Sequence, residues 1–437
     1  MTLMPSLRAR VRDEESGFTI IEVMVSALLV VVLSVGVLKA LDAAEASSGG
    51  NKARGVAANL AQQDQERLRA FRAKELSNAR ETRVRMVGTV PYTIVSKSDW
   101  VSDASGSRSC SGASARADYM RINSTVTWPD MRGAKPVETT SVVAAPNGSF
   151  GDEGSLGVQV LNRSGDGQSG VAVTVSGPKN LSDSTDSNGC VFFGYLPEGN
   201  YTVTFSKRGH VDANGVTDVS RVVGVQNETT QIQTIDYDLA ASRTVNVQTQ
   251  RGSGQPLLVA TTGHISFGHA NVASPGYRTF GNGTLASSFA ATGLFPFTGA
   301  YSVYSGNCSG NNPEALSPIG TVIPTVALRT LAAGSTGTIT IREPAIRITT
   351  NGSTAWPTGS VVKVTPVSCS DVINLVTDST GWAHAGGSYG IPYGMYNICA
   401  SSGGRRRIVN NQNVRTGTGQ AINMGGTAAT GTVGAYP

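Results

Sequence analysis

The chain has 437 residues, with 35 Lys and Arg against 30 Asp and Glu for a net charge of +5. Only 15% of residues are charged while 52 are glycine, which excludes a charged helical bundle and favours many tight turns between strands. The one dense basic run, Arg405-Arg406-Arg407, reads as a solvated loop, so no nucleic-acid partner is expected.

The first element is an apolar stretch from Gly17 to Leu38. Its 21 residues after Gly17 carry one charge, Glu22, and about 20 such residues cross a hydrocarbon core as a helix. A neutral leader precedes it, with Arg8, Arg10 and Arg12 against Asp13, Glu14 and Glu15. A secretory signal has an apolar core of ~7–15 residues that ends at a small-residue cleavage site. Here the run is longer, and the small residue stands before it. An ordinary anchor has no use for a carboxylate at this depth, because such a group is costly and usually functional.

Gly17-Phe18-Thr19-Ile20-Ile21-Glu22, followed by an unbroken apolar helix, resembles the N-terminus of type IV prepilins and type II secretion pseudopilins. The resemblance implies cleavage between Gly17 and Phe18 by a prepilin peptidase, and N-methylation of Phe18. It also implies that Glu22 serves filament assembly by meeting the terminal amine of an adjacent subunit. The leader arginines, set against Asp42 and Glu45 beyond the span, favour an N-terminus on the inner side of the membrane and a C-terminus outside.

Helix continues to Ser47-Ser48-Gly49-Gly50, where two adjacent glycines predict a break or kink. Beyond it Val56, Ala57, Leu60, Ala61, Leu68 and Phe71 fall near one face, interrupted by Asp64, while the other face is charged. A half-apolar helix outside a membrane needs a sheet to lie on, and pilins place one there. Val84–Val95, Tyr119–Trp128 and Val137–Ala144 read as its strands.

Residues 146–155 have linker composition, and beyond them the chain repeats itself. Leu196-Pro-Glu-Gly-Asn-Tyr201-Thr-Val, Phe295-Pro-Phe-Thr-Gly-Ala-Tyr301-Ser-Val and Ile391-Pro-Tyr-Gly-Met-Tyr396-Asn-Ile share one pattern: a Pro/Gly turn feeding a strand that opens on Tyr. The first and last also share an upstream turn, Thr185-Asp-Ser-Asn-Gly189 and Thr377-Asp-Ser-Thr-Gly381. This grammar resembles the carboxypeptidase-regulatory-like and CnaB-like (prealbumin-type) sandwich modules. The division that follows is a leader over 1–17, a pilin helix over 18–82 with its membrane or filament part at 18–41, and a β-sheet head over 83–150. Sandwich modules then occupy 155–240, 241–340 and 341–437. The expected fold is mainly β: a long N-terminal hydrophobic helix with a small α+β pilin-like head, then three tandem Greek-key β-sandwich modules.

Each candidate for chemistry has a plainer reading. Gly386-Gly-Ser388-Tyr-Gly390 matches a nucleophile elbow, but a helix should follow it and Ile391-Pro392 does instead. His264 and His269 lack further ligands at metal spacing. Asp183-Ser-Thr-Asp186-Ser-Asn188-Gly189 lacks the closing Glu of an EF-hand loop and reads as an Asx turn. CnaB modules often carry a Lys–Asn crosslink, yet the first strands at Leu156–Asn162 and Ile346–Thr349 contain no Lys. No catalytic residue, metal or cofactor is therefore expected. Of the five cysteines, Cys369 and Cys399 lie in one module on strands that could sit side by side, and a bridge between them is expected. It would close a loop of ~30 residues and stabilise the module by roughly 3–4 kcal/mol. Cys110, Cys190 and Cys308 stay unassigned, at least one of them free or paired elsewhere.

The expected function is structural: a minor or tip-located, adhesive pilin or pseudopilin of a type IV pilus or type II secretion-like machine. Its partners would be other pilin subunits, the prepilin peptidase, the membrane and an unknown surface ligand. It would move from a single-pass bacterial membrane precursor to an extracellular filament or the cell surface. A single-span surface adhesin that never joins a filament is the alternative.

Overall fold

A computed structural model of the chain describes residues 19–77, 79–101, 110, 119–131, 134–144, 152–313, 327–415 and 417–425. They fall into two compact units, one drawn from 1–98 and 120–143, the other from 99–119 and 144–437. The fold is mainly β, with one long apolar N-terminal helix and several β-sandwich sheets.

The first unit opens with α1 (Ile20–Arg69), a single helix of 50 residues. It runs through Gly49 and Gly50 without the expected break. Each glycine costs only about 1 kcal/mol against alanine, and helix already formed on both sides propagates across that cost. A short α2 (Ala73–Leu76) leads to β1 (Arg80–Val87), β2 (Val90–Val101), β3 (Tyr119–Thr127) and β4 (Val137–Ala144), which lie side by side in that order. Val84–Val95, which reads as one strand, is a hairpin: Val87 pairs with Val90 across Gly88-Thr89. Gly88 has φ +62°, a conformation that glycine adopts freely and that two-residue hairpin turns require. Alternate residues of β3, Met120, Ile122, Ser124 and Val126, are buried, as the two-residue period of a half-buried strand dictates. Ala57, Leu60 and Ala61 of α1 pack with Tyr92, Ile94, Val126 and Trp128 of the sheet.

The second unit holds three β-sandwiches in series. The first comprises β5 (Glu153–Leu161), β6 (Ala172–Ser176), β7 (Leu181–Ser184), β8 (Cys190–Pro197), β9 (Gly199–Ser206), β10 (His210–Asp212), β11 (Val219–Val225) and β12 (Thr230–Leu239). Its sheets are ordered β10-β12-β5-β8 and β11-β9-β6-β7, around a core that includes Val158, Phe193, Tyr201 and Phe205.

The second sandwich comprises β13 (Ala241–Gln250), β14 (Leu257–Val259), β15 (Ile265–Gly268), β16 (Tyr277–Phe280), β17 (Ser288–Leu294), β18 (Tyr301–Ser305), β19 (Ala327–Arg329) and β20 (Thr338–Pro344). One sheet is β14-β13-β17 with β20 also on β13, the other β16-β15-β18-β19. Val245, Phe267, Tyr301 and Ile341 are part of its core.

The third comprises β21 (Ile346–Thr350), β22 (Thr354–Ala355), β23 (Val361–Pro366), β24 (Ile373–Thr377), β25 (Ala383–Ala385), β26 (Ser388–Tyr389), β27 (Gly394–Ser402), β28 (Arg405–Val414) and β29 (Gln420–Asn423). Its sheets are β22-β21-β29 and β26-β25-β24-β23-β27-β28. The run Arg405-Arg406-Arg407 starts the edge strand β28 and is not a loop. Charges on an edge strand discourage pairing with a stray chain.

In all three sandwiches the first and last strands pair in parallel: β5 with β12, β13 with β20, and β21 with β29. Two parallel strands run in one direction, so the chain enters each sandwich at one end and leaves at the other. Only Ala240 separates β12 from β13, and only Ala345 separates β20 from β21.

Candidate functional site

The N-terminal part of α1 is built for an apolar medium. Ile20–Asp42 is long and apolar enough to cross a membrane, and 0% of it is buried within the chain. Thr19 caps it, its hydroxyl accepting from the Glu22 N–H at 3.4 Å beside a 3.0 Å bond to its carbonyl. Ser26 and Ser34 turn their hydroxyls back onto the carbonyls of Glu22 and Val30, so neither needs an outside partner. Glu22 remains exposed, the one charge of the span's first turns. Gly17 and Phe18, the expected cleavage site, lie outside the described residues.

Where α1 meets the sheet, Asp64 is buried within the apolar face that it interrupts in sequence. Its carboxylate accepts from Ser96 Oγ at 2.7 Å, from Ser124 Oγ at 2.6 Å and from Arg67 Nη2 at 3.0 Å, and also pairs with Arg83. Burial alone would raise this carboxyl; the hydroxyl bonds and the Arg67 charge outweigh it and hold it below its usual range. Gln65 beside it donates to Ser124 Oγ at 3.0 Å and to the Thr139 carbonyl at 2.8 Å. Sequence reading missed this node because a charged run on a helix reads as a solvated face.

The repeated turns of the second unit have a shared mechanism. Tyr201 donates to the Pro197 carbonyl at 2.9 Å, Tyr396 to that of Pro392 at 2.7 Å and Tyr301 to that of Phe295 at 2.7 Å. Each hydroxyl thus closes the turn before its own strand, the logic of a tyrosine corner. Asp186 accepts from the N–H groups of Asn188 and Cys190, and Asp378 from those of Thr380 and Trp382. These are Asx turns, not calcium loops. Thr185 and Thr377 act alike: each hydroxyl accepts one backbone N–H and donates to one backbone carbonyl of the preceding segment.

A cleft of about 460 Å³ lies between the second and third sandwiches, with Thr261, His264, Asp371 and Ser388 among its lining residues. Ser388 stands in a hairpin, and its hydroxyl accepts from the Thr261 N–H at 2.8 Å. No helix follows it, and His384 accepts from the Gly387 N–H instead of facing it. His264 lines the cleft, while His269 stacks on Phe297 with ring centres 3.9 Å apart and is held below the usual imidazole range by burial. Among the described residues no cluster of His, Cys, Asp and Glu could hold a metal.

The cysteines pair differently from expectation. Cys308 bonds to Cys369, a residue of the third sandwich, and Cys110 bonds to Cys190 in β8; Cys399 is free and buried. The expected Cys369–Cys399 bridge fails on register. Cys399 sits opposite Lys363, whereas Cys369 lies six residues further along, past the end of β23. The three strand steps from Lys363 to Pro366 alone span about 10 Å by strand rise, already beyond the Cα separation of ~7 Å that a disulfide allows, and the Cys369 sulfur is taken by Cys308. The Cys399 sulfur instead accepts from Arg406 Nε at 3.2 Å.

No family model and no curated protein matches the chain. Solved structures with similar architecture include the TIE protein of Bacillus anthracis, 12% identical over 81% of this chain and 75% of its own, with a TM-score of 0.21. Others are GBS52, the minor pilin of the Gram-positive pathogen Streptococcus agalactiae (12% identity, 43% and 94% covered, TM-score 0.20), and BcpA, the major pilin subunit of Bacillus cereus (10%, 63% and 100%, 0.19). At such values none of them says what this chain does.

Proposed function

We propose that the chain is a prepilin-like structural protein, a minor or tip-located pilin or pseudopilin of a type IV filament or a type II secretion-like machine. The observation that carries this reading is the division of labour along α1. Residues 20–42 bury nothing within the chain and hold two acids, Glu22 and, at the far end, Asp42, while Ala57, Leu60, Ala61 and Leu68 further along are buried. A helix that is apolar all round needs lipid or other helices about it, and the second half supplies a folded head to keep outside.

In this reading a prepilin peptidase cuts after Gly17 and Phe18 becomes the methylated terminus. Glu22 pairs with the terminal amine of a neighbouring subunit as that subunit enters the filament. The precursor sits in a bacterial membrane with its N-terminus inside, and the sandwiches form a stalk or adhesive surface. Sequencing the N-terminus of the native protein tests this directly. A start at Phe18 supports it, and a chain that keeps its leader favours the single-span adhesin. Gly17→Val should leave a precursor longer by the 17-residue leader; trimming of that variant to Phe18 would overturn the cleavage assignment.

A further inference from the structure

Glu343 is the next-to-last residue of β20, and its side chain has no exposed surface. The chain passes from there through Pro344 and Ala345 into β21, so this carboxyl sits at the joint between the second and third sandwiches. Contacts across the joint enclose it. The Ile391 N–H donates to the Pro344 carbonyl at 3.0 Å, Asn311 Nδ2 to the Tyr393 carbonyl at 2.7 Å, and Cys308 is bonded to Cys369. Gly390, at φ +111°, brings the loop before Ile391 close over the acid: a Cβ there would stand 2.9 Å from Glu343 Oε2 and 3.2 Å from its Cβ.

The groups that face Glu343 come from every element around it: Thr249 of β13, Thr262 ahead of β15, Ser305 of β18, and the phenols of Tyr393 and Tyr396. Thr249 spends its hydroxyl on the Glu343 backbone carbonyl at 2.8 Å. Neither carboxyl oxygen has a well-aligned hydrogen bond. Among the described residues no cation pairs with it, and Arg342, its neighbour on β20, acts on the Tyr393 phenol instead. Burial holds both phenols neutral, Tyr393 pushed up to about 12. Burial likewise raises the Glu343 carboxyl to about 7, with the Ser305 and Thr262 hydroxyls opposing the rise.

We propose that Glu343 is a proton-operated latch on this joint: protonated, it lets the two sandwiches close over it, and ionised, it is an unpaired buried charge that drives them apart. The inference does not depend on the proposed function. An opened joint ionises this acid near its ordinary value of about 4.5. The stability that the neutral acid lends the closed joint is therefore fully present below that pH, falls progressively as pH rises, and is lost above about 7.

The test is hydrogen exchange on the full-length chain, corrected for intrinsic rates, at about pH 6 and about pH 8. Amides of 342–345 and 389–393 should lose about tenfold protection, the equivalent of one pKa unit, while those of β5 and β8 hold theirs. Glu343→Gln should show equal protection at both values. Infrared spectra of wild type give an independent check: a protonated-carboxyl band should be present at about pH 6, fade by about pH 8 and be absent in Glu343→Gln. Flat protection in wild type, a drop retained in Glu343→Gln, or a missing band at the lower pH would each overturn the latch.

Discussion

Tyr396 reaches back to Pro392 and donates its hydroxyl to that residue's carbonyl at 2.7 Å, within a core that leaves the ring no exposed surface. Tyr201 and Pro197 stand in the same relation in the first sandwich. Replacing either tyrosine by phenylalanine keeps the packing and takes the hydroxyl from the turn carbonyl; at Tyr396 it also removes the contacts with the Tyr393 carbonyl and Asn311 Nδ2. Tyr201→Phe and Tyr396→Phe should each cost about 1–2 kcal/mol, read from denaturant midpoints. Unchanged midpoints in both would reduce the shared word to packing alone.

Cysteine mapping under non-reducing conditions should return Cys110 with Cys190 and Cys308 with Cys369. Cys399 should react with an alkylating agent only after unfolding, because it is buried between strands that hold it far from Cys369. A peptide joining Cys399 to any other cysteine would contradict the two bridges of the fold.

Asp64 supplies an acid-side dependence of opposite sign to that of Glu343. Its folded carboxyl is depressed below 3.8, so the stability it contributes is present above that pH and is lost as pH falls through the lower, folded value. Asp64→Asn should cost about 2–3 kcal/mol near neutrality, as expected for hydrogen bonds to a charged group. It should also flatten the acid limb. Exchange of the α1 amides between Ala57 and Leu68 reports both effects, and an acid limb as steep in Asp64→Asn as in wild type would assign it to other groups.

Glu22→Ala should insert and be processed as wild type is, since removing the charge lowers a cost of about 2.5–3.5 kcal/mol in the bilayer. If the proposed pairing holds, it should nevertheless fail to join a filament, because the amine of its neighbour would stay unpaired. Comparison of membrane and sheared-filament fractions decides the matter. Equal recovery of both proteins in filaments would leave Glu22 a tolerated interface residue.

What the sequence made legible was what short stretches decide alone. The apolar span, the strands Tyr119–Thr127 and Val137–Ala144, and the Tyr-bearing turns are local patterns, and each recurs in the fold. What it hid depends on distant partners. The pairing of Cys369 turns on a register between β23 and β27 that no local stretch specifies. Asp64 becomes an inward residue only because Ser96, Ser124 and Arg83, from three different strands, arrive to meet it. Glu343 carries no motif at all; its isolation is made by Gly390 and Tyr393, some fifty residues onward. The hairpin at Gly88-Thr89 was within reach, since a glycine between two valine-flanked runs is a turn signal.

The parallel pairing of first and last strands has a mechanical consequence. Tension applied to the two ends of such a sandwich slides its terminal strands past one another, so their hydrogen bonds bear the load together instead of peeling one after another. Among the described residues, β5–β12 and β13–β20 each hold seven registered pairs in this arrangement, and β21–β29 holds four. Among the described residues the third sandwich therefore sets the fewest such bonds against a pull. The Cys308–Cys369 bond fastens that sandwich to its neighbour by a covalent link that does not depend on those hydrogen bonds.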